Sequence, residues 1–69
     1  MTDIKPGDFG TFVFFLRTKG QISGPHTIEG CEVTDTDRWY VQLTDLQGMI
    51  YLPRREDIKE FKAVNKIIL

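Results

Sequence analysis

Two short alternating runs in the second half of the chain constrain its fold most. Residues 38–44 place Trp39, Val41 and Leu43 on one side and Tyr40, Gln42 and Thr44 on the other, and residues 49–53 follow after the turn Asp45-Leu46-Gln47-Gly48. Period-two alternation on both sides of a four-residue turn predicts an antiparallel hairpin. Gly48 stands where such a turn commonly takes a positive φ, so it is expected to resist substitution. After Pro53, the segment Arg54-Arg55-Glu56-Asp57 reads as one helical turn, and residues 58–64 as a closing strand. Hairpin, bend and closing strand are the local geometry by which a sheet too small to stand open rolls into a small β-barrel.

The first half fits the same plan. Ile4-Lys5-Pro6-Gly7-Asp8 is an entry turn, with Pro6 fixing one φ and Gly7 freeing the next. Residues 9–17 form a first strand with both faces apolar: Phe9, Thr11, Val13 and Phe15 on one, Phe12, Phe14 and Leu16 on the other. A half-exposed strand does not look like this. Either the strand is bent and internal on both faces, or one face is an interface. The apolar end, Ile67-Ile68-Leu69, tips the reading toward self-association through Phe12, Phe14, Leu16 and that tail. Residues 18–25 hold Gly20, Gly24 and Pro25 and read as a long first loop. Residues 27–35 alternate again, with Gly30 marking a bulge or bend at a corner, and Thr34-Asp35-Thr36-Asp37 reads as a polar turn. Trp39, in register with Val41 and Leu43, is expected in the core.

A chain of 69 residues is one domain, and at that size about 60% of the unfolded surface is buried. Small domains commonly add a disulfide, a metal or a partner subunit. Cys31 is the sole cysteine, so no disulfide forms within the chain, and Cys31 with the sole histidine, His26, is too small a set for zinc. No cofactor is implied. A homo-oligomer is the staple left over. No apolar stretch approaches the ~20 residues of a membrane-spanning helix, and the first residues lack the basic and apolar regions of a secretory signal. A cytoplasmic protein without a membrane partner is expected.

The net charge is −1, which carries no polyanion signal of its own, but the charges are segregated. Acidic residues dominate from Glu29 to Asp45, through Glu32, Asp35 and Asp37. Basic residues gather in Arg54, Arg55, Lys59, Lys62 and Lys66. A basic rim of Arg54, Arg55, Lys59 and Lys62, flanked by Tyr40 and Tyr51 as stacking faces, with Trp39 a third such face were it outside the core, is the best candidate for partner binding. Glu56, Asp57 and Glu60 dilute its field. The acidic residues lack the spacing of a calcium loop and read as a solubilising turn. His26 has no nucleophile or acid beside it in sequence and reads as a surface histidine. Cys31, between Glu29 and Glu32, reads as a buried small hydrophobe rather than a reactive thiol.

The strand around Thr27-Ile28-Glu29-Gly30-Cys31-Glu32-Val33, the acidic turn, Trp39-Tyr40-Val41-Gln42-Leu43, Gly48-Met49-Ile50-Tyr51-Leu52-Pro53 and Asp57-Ile58 together resemble the small SH3-like barrels, of which the Sm-like proteins are one branch. The resemblance covers residues 9–64 and implies an all-β fold: a small SH3-like barrel of about five short antiparallel strands with a helical turn after Pro53. Two departures separate the chain from Sm-like RNA binders. The first ten residues, with Pro6, Gly7 and Gly10, do not read as a helix, and Leu52-Pro53-Arg54-Arg55 stands where the bacterial Sm-like RNA chaperone has a tyrosine-lysine-histidine run. No pocket residue carries over. The expected function is a non-catalytic binding module that self-associates and docks a protein partner. A single-stranded nucleic-acid binder is the second reading, and an oligomer holding a small anionic ligand near Gly24, Pro25 and His26 is the third.

Overall fold

The computed structural model describes residues 3–65. Ile67, Ile68 and Leu69, part of the expected self-association surface, lie outside the described residues.

The chain forms strands β1 (Phe9–Thr18), β2 (Gln21–Thr36), β3 (Val41–Thr44), β4 (Ile50–Tyr51) and β5 (Ile58–Ala63), with a 3₁₀ turn at Arg55–Asp57 before the last. All pair antiparallel in one sheet of order β4-β3-β2-β1-β5. The all-β expectation and the helical turn after Pro53 hold. The sheet is not closed: β4 and β5 are its two edges.

The expected loop over residues 18–25 is overturned. Lys19 and Gly20, both with positive φ, make a two-residue turn that pairs Thr18 with Gln21, so β1 and β2 form one long hairpin. Gly24 and Pro25 fall between the pairs Phe14–His26 and Leu16–Ser23, two residues opposite the single Phe15. A bulge accommodates proline without breaking the ladder, and in sequence its Gly-Pro signature is indistinguishable from that of a loop. A second bulge lies at Glu29-Gly30 opposite Thr11, as Gly30 suggested.

These bulges bend the sheet around its core. Ile4, Phe12, Phe14, Cys31, Val33, Val41 and Leu43 are buried, with Leu16, Ile28, Tyr51, Ile58 and Phe61 packed against them. Phe12 stacks on Phe61 with centroids 4.5 Å apart. Phe14 of β1 meets Tyr51 of β4 at 5.7 Å, although β2 and β3 lie between those strands in the sheet.

That packing corrects the proposed self-association surface. Phe12 and Phe14 are 0% exposed and Leu16 is half-buried on the same core. The opposite face of β1, with Phe9, Val13 and Phe15, is also half-buried, and the Lys59 ammonium lies 5.7 Å from the Phe15 ring. The strand thus spends Phe12 and Phe14 on the core and leaves Phe9, Val13 and Phe15 partly covered on its other face. Cys31, also 0% exposed, is packing as expected.

Candidate docking groove

Trp39 is 67% exposed, against the expectation that it belongs to the core with Val41 and Leu43. The cause is local. Asp37 Oδ1 accepts hydrogen bonds from the backbone N–H groups of Trp39 (2.8 Å) and Tyr40 (2.7 Å), and the Asp37 N–H donates to the Tyr40 carbonyl (3.0 Å). Such an aspartate-capped turn satisfies the backbone without a strand, so β3 begins only at Val41 and Trp39 leaves the alternating register. The two N–H donors of Tyr40 and Trp39, assisted by the Arg55 charge, hold the Asp37 carboxyl below the usual aspartate range.

Arg55 ties this turn to the rest of the molecule. Its Nη1 donates to the Ile4 carbonyl and its Nη2 to the Asp37 carbonyl, each at 3.0 Å. The Arg55 N–H also donates to the Trp39 carbonyl at 2.8 Å, and Tyr40 pairs with Arg54 in an isolated antiparallel bridge. Two chain segments are thereby clamped side by side.

Between them runs a groove of about 570 Å³ lined by Arg38, Trp39, Tyr40, Arg54, Arg55 and Glu56. The Arg38 guanidinium sits 5.8 Å from the Trp39 ring centroid, within cation–π reach. Arg54 Nη1 lies 3.5 Å from Glu56 Oε1, which also faces Arg17 at 3.8 Å. Arg55 is committed to carbonyls, so Arg38 and Arg54 are the cations that the groove turns toward solvent. A second depression of about 210 Å³ shares Tyr40 and is lined otherwise by Asp35, Thr36, Asp37, Gln42 and Leu52.

No family model matches the sequence, and no curated protein or solved structure matches it. The site must therefore be weighed on its own chemistry.

Of the six expected partner-binding residues, the structure brings Arg54, Arg55 and Tyr40 together and leaves the other three elsewhere. Tyr51 belongs to the core margin: its ring faces Phe14 and its hydroxyl donates to Asp45 Oδ2 at 3.3 Å. Lys59 covers Phe15, and Lys62 stands opposite Thr11 on β5. Both Arg38 and Trp39 line the groove, where sequence reasoning passes over Arg38 and prefers the core to a stacking face for Trp39. Their signal was the aspartate directly before Arg38-Trp39-Tyr40, which marks a capped turn rather than the start of a strand.

The other candidates do not converge. Gly24, Pro25 and His26 lie in β2, where His26 Nε2 and Ser23 Oγ are 3.0 Å apart, away from the groove lining. Among the described residues no group of three His, Cys, Asp or Glu side chains is placed to hold a metal ion. No helix in the described residues is long and apolar enough to cross a membrane.

Proposed function

We propose that the chain is a non-catalytic docking module, an SH3-like sheet curled toward a barrel, whose groove captures a segment of a partner protein. One observation carries this reading: the sole tryptophan stands two-thirds exposed on a turn fixed by Asp37 and Arg55, beside Tyr40, Arg38 and Arg54. Tryptophan, tyrosine and arginine are the side chains that most often dominate binding energy at protein interfaces. A platform already held rigid loses little conformational freedom when a partner docks.

The groove's charge argues for a short acidic segment rather than a polyanion. Two solvent-facing guanidiniums beside Glu56 release few counterions, and Asp35 and Asp37 in the adjoining depression repel a continuing phosphate chain. Exposed Leu52, Ile50 and Met49 nearby in sequence suit apolar side chains of a peptide. Self-association loses the support it drew from β1, because Phe12 and Phe14 are spent on the core. The mass in solution by light scattering reads it directly.

The test uses Trp39 itself as the probe, since a single tryptophan makes its emission specific to the groove. The peptide Val-Thr-Val-Thr-Glu-Thr-Glu should shift that emission saturably, its glutamine analogue should bind more weakly, and Arg54→Gln should weaken the acidic form. A response confined to oligothymidine, falling steeply with added salt, would replace this reading with single-stranded nucleic-acid binding.

A further inference from the structure

The outer edge of β4 leads into the groove. Asp45 N–H donates to the Met49 carbonyl and Val41 N–H to the Pro53 carbonyl, each at 3.0 Å, and the register pairs Leu43 with Tyr51 and Thr44 with Ile50. Antiparallel ladders alternate hydrogen-bonded and non-hydrogen-bonded pairs. Tyr51 and Pro53 therefore turn their backbone groups toward β3, while Ile50, Leu52 and Arg54 turn their N–H groups outward. Pro53 lacks its donor on the inner side, so the outer edge loses nothing to it.

The side chains follow the same alternation. Ile50 and Leu52 are 55% and 57% exposed, Arg54 is exposed, Tyr51 is half-buried and Pro53 is buried. Sheet edges are ordinarily defended by charge. The opposite edge, β5, is so defended by Lys59, Glu60 and Lys62. The β4 edge carries two exposed aliphatic residues and then a cation that lines the groove. No strand of the described residues pairs with it.

We propose that the partner segment binds in extended form as an added strand along Ile50, Leu52 and Arg54. Its apolar side chains lie beside Ile50 and Leu52, and a carboxylate lies at Arg54. This inference rests on the groove reading and specifies how the peptide is held. Main-chain hydrogen bonds to alternate residues supply affinity, and the side-chain order of apolar then acidic supplies direction.

The experiment binds Val-Thr-Val-Thr-Glu-Thr-Glu to the full chain and compares two N-methylated forms, each blocking one alternate set of amides. Strand addition predicts that one form loses affinity by about tenfold or more while the other binds nearly as well, and that the Ile50 and Leu52 amides exchange more slowly with solvent in the complex. Equal tolerance of both forms, with Trp39 still responding, overturns strand addition and leaves the groove reading standing. Absence of any Trp39 response to the parent peptide overturns both. A doubling of mass in place of peptide binding assigns the edge to a second copy of the chain and overturns the inference.

Discussion

Arg17 and Asp57 form a two-bond ion pair across 40 residues of sequence, Nε to Oδ2 at 2.7 Å and Nη2 to Oδ1 at 3.0 Å. Asp57 is 5% exposed, and the pair fastens the arm of the β1–β2 hairpin to the 3₁₀ turn that follows the groove residue Arg54. Fork-to-carboxylate geometry of this kind is stronger and more specific than a single surface contact.

The Arg17 hydrogen bonds, with the charges of Arg17, Arg54 and Lys59, hold the Asp57 carboxyl below its usual range. A carboxylate whose folded pKa is depressed stabilises the fold above its unfolded pKa, and that contribution is lost as pH falls through the folded value. Arg17→Met is therefore expected to lower the melting temperature by several degrees at neutral pH. The gap from the parent protein should narrow as the pH is taken below the ordinary aspartate range of about 4. Thermal melts of both proteins across that window check it.

Asp37 is expected to control how Trp39 is presented. Its depressed carboxyl keeps the turn capped above the ordinary aspartate range and releases it as pH falls through the folded value. Trp39 emission should inflect at a pH below that of a free aspartate, and Asp37→Ala should abolish the inflection and broaden Trp39 signals at neutral pH. An unchanged emission profile in the variant would mean that Arg55 fixes the turn without Asp37.

Much of this molecule is written in its sequence where geometry is local. The turn at Gly48, with φ +85, the bulge at Gly30 and the bend after Pro53 each depend on a few adjacent residues and were legible. The hairpin arm was not, because Gly20, Gly24 and Pro25 punctuate a turn and a bulge with the same residues that punctuate a loop. Trp39 was misplaced because alternation counts side chains, whereas an aspartate accepting two backbone N–H groups decides whether the strand has begun. Phe12 and Phe14 read as surplus because sequence does not show that Phe61 stands opposite Phe12 on the neighbouring β5, or that Tyr51 of β4 meets Phe14 although two strands separate them in the sheet.

The glycines rank differently in space than in sequence. A Cβ at Gly48 meets nothing within 4 Å, so Gly48→Ala bears only the left-handed backbone cost of roughly 1–2 kcal/mol. A Cβ at Gly10 collides with the Lys62 carbonyl and comes within 3.0 Å of Ala63 Cα on β5. Both are backbone atoms that yield only by parting the strands. Gly10→Ala is expected to destabilise more than Gly48→Ala in urea titrations and to speed amide exchange in β5.

Burial, and secondarily the nearby Asp45 charge, push the Cys31 thiol up to about 11. Because the thiolate is the reacting species, Cys31 is expected to resist a disulfide reagent at pH 8 in the folded protein and to react promptly in denaturant. Fast labelling of the native chain would contradict the packing of β2 against the core.

The central claim is that the face built by Arg38, Trp39, Tyr40 and Arg54 receives an acidic peptide. Amide and tryptophan-indole chemical-shift mapping during titration with Val-Thr-Val-Thr-Glu-Thr-Glu tests it without presuming the site. The account predicts saturable shifts centred on the Trp39 indole and the backbone of residues 38–40 and 54, with the hairpin arm at Ser23 and His26 unmoved. Shifts centred on Ser23 and His26, or none at any residue, would contradict it.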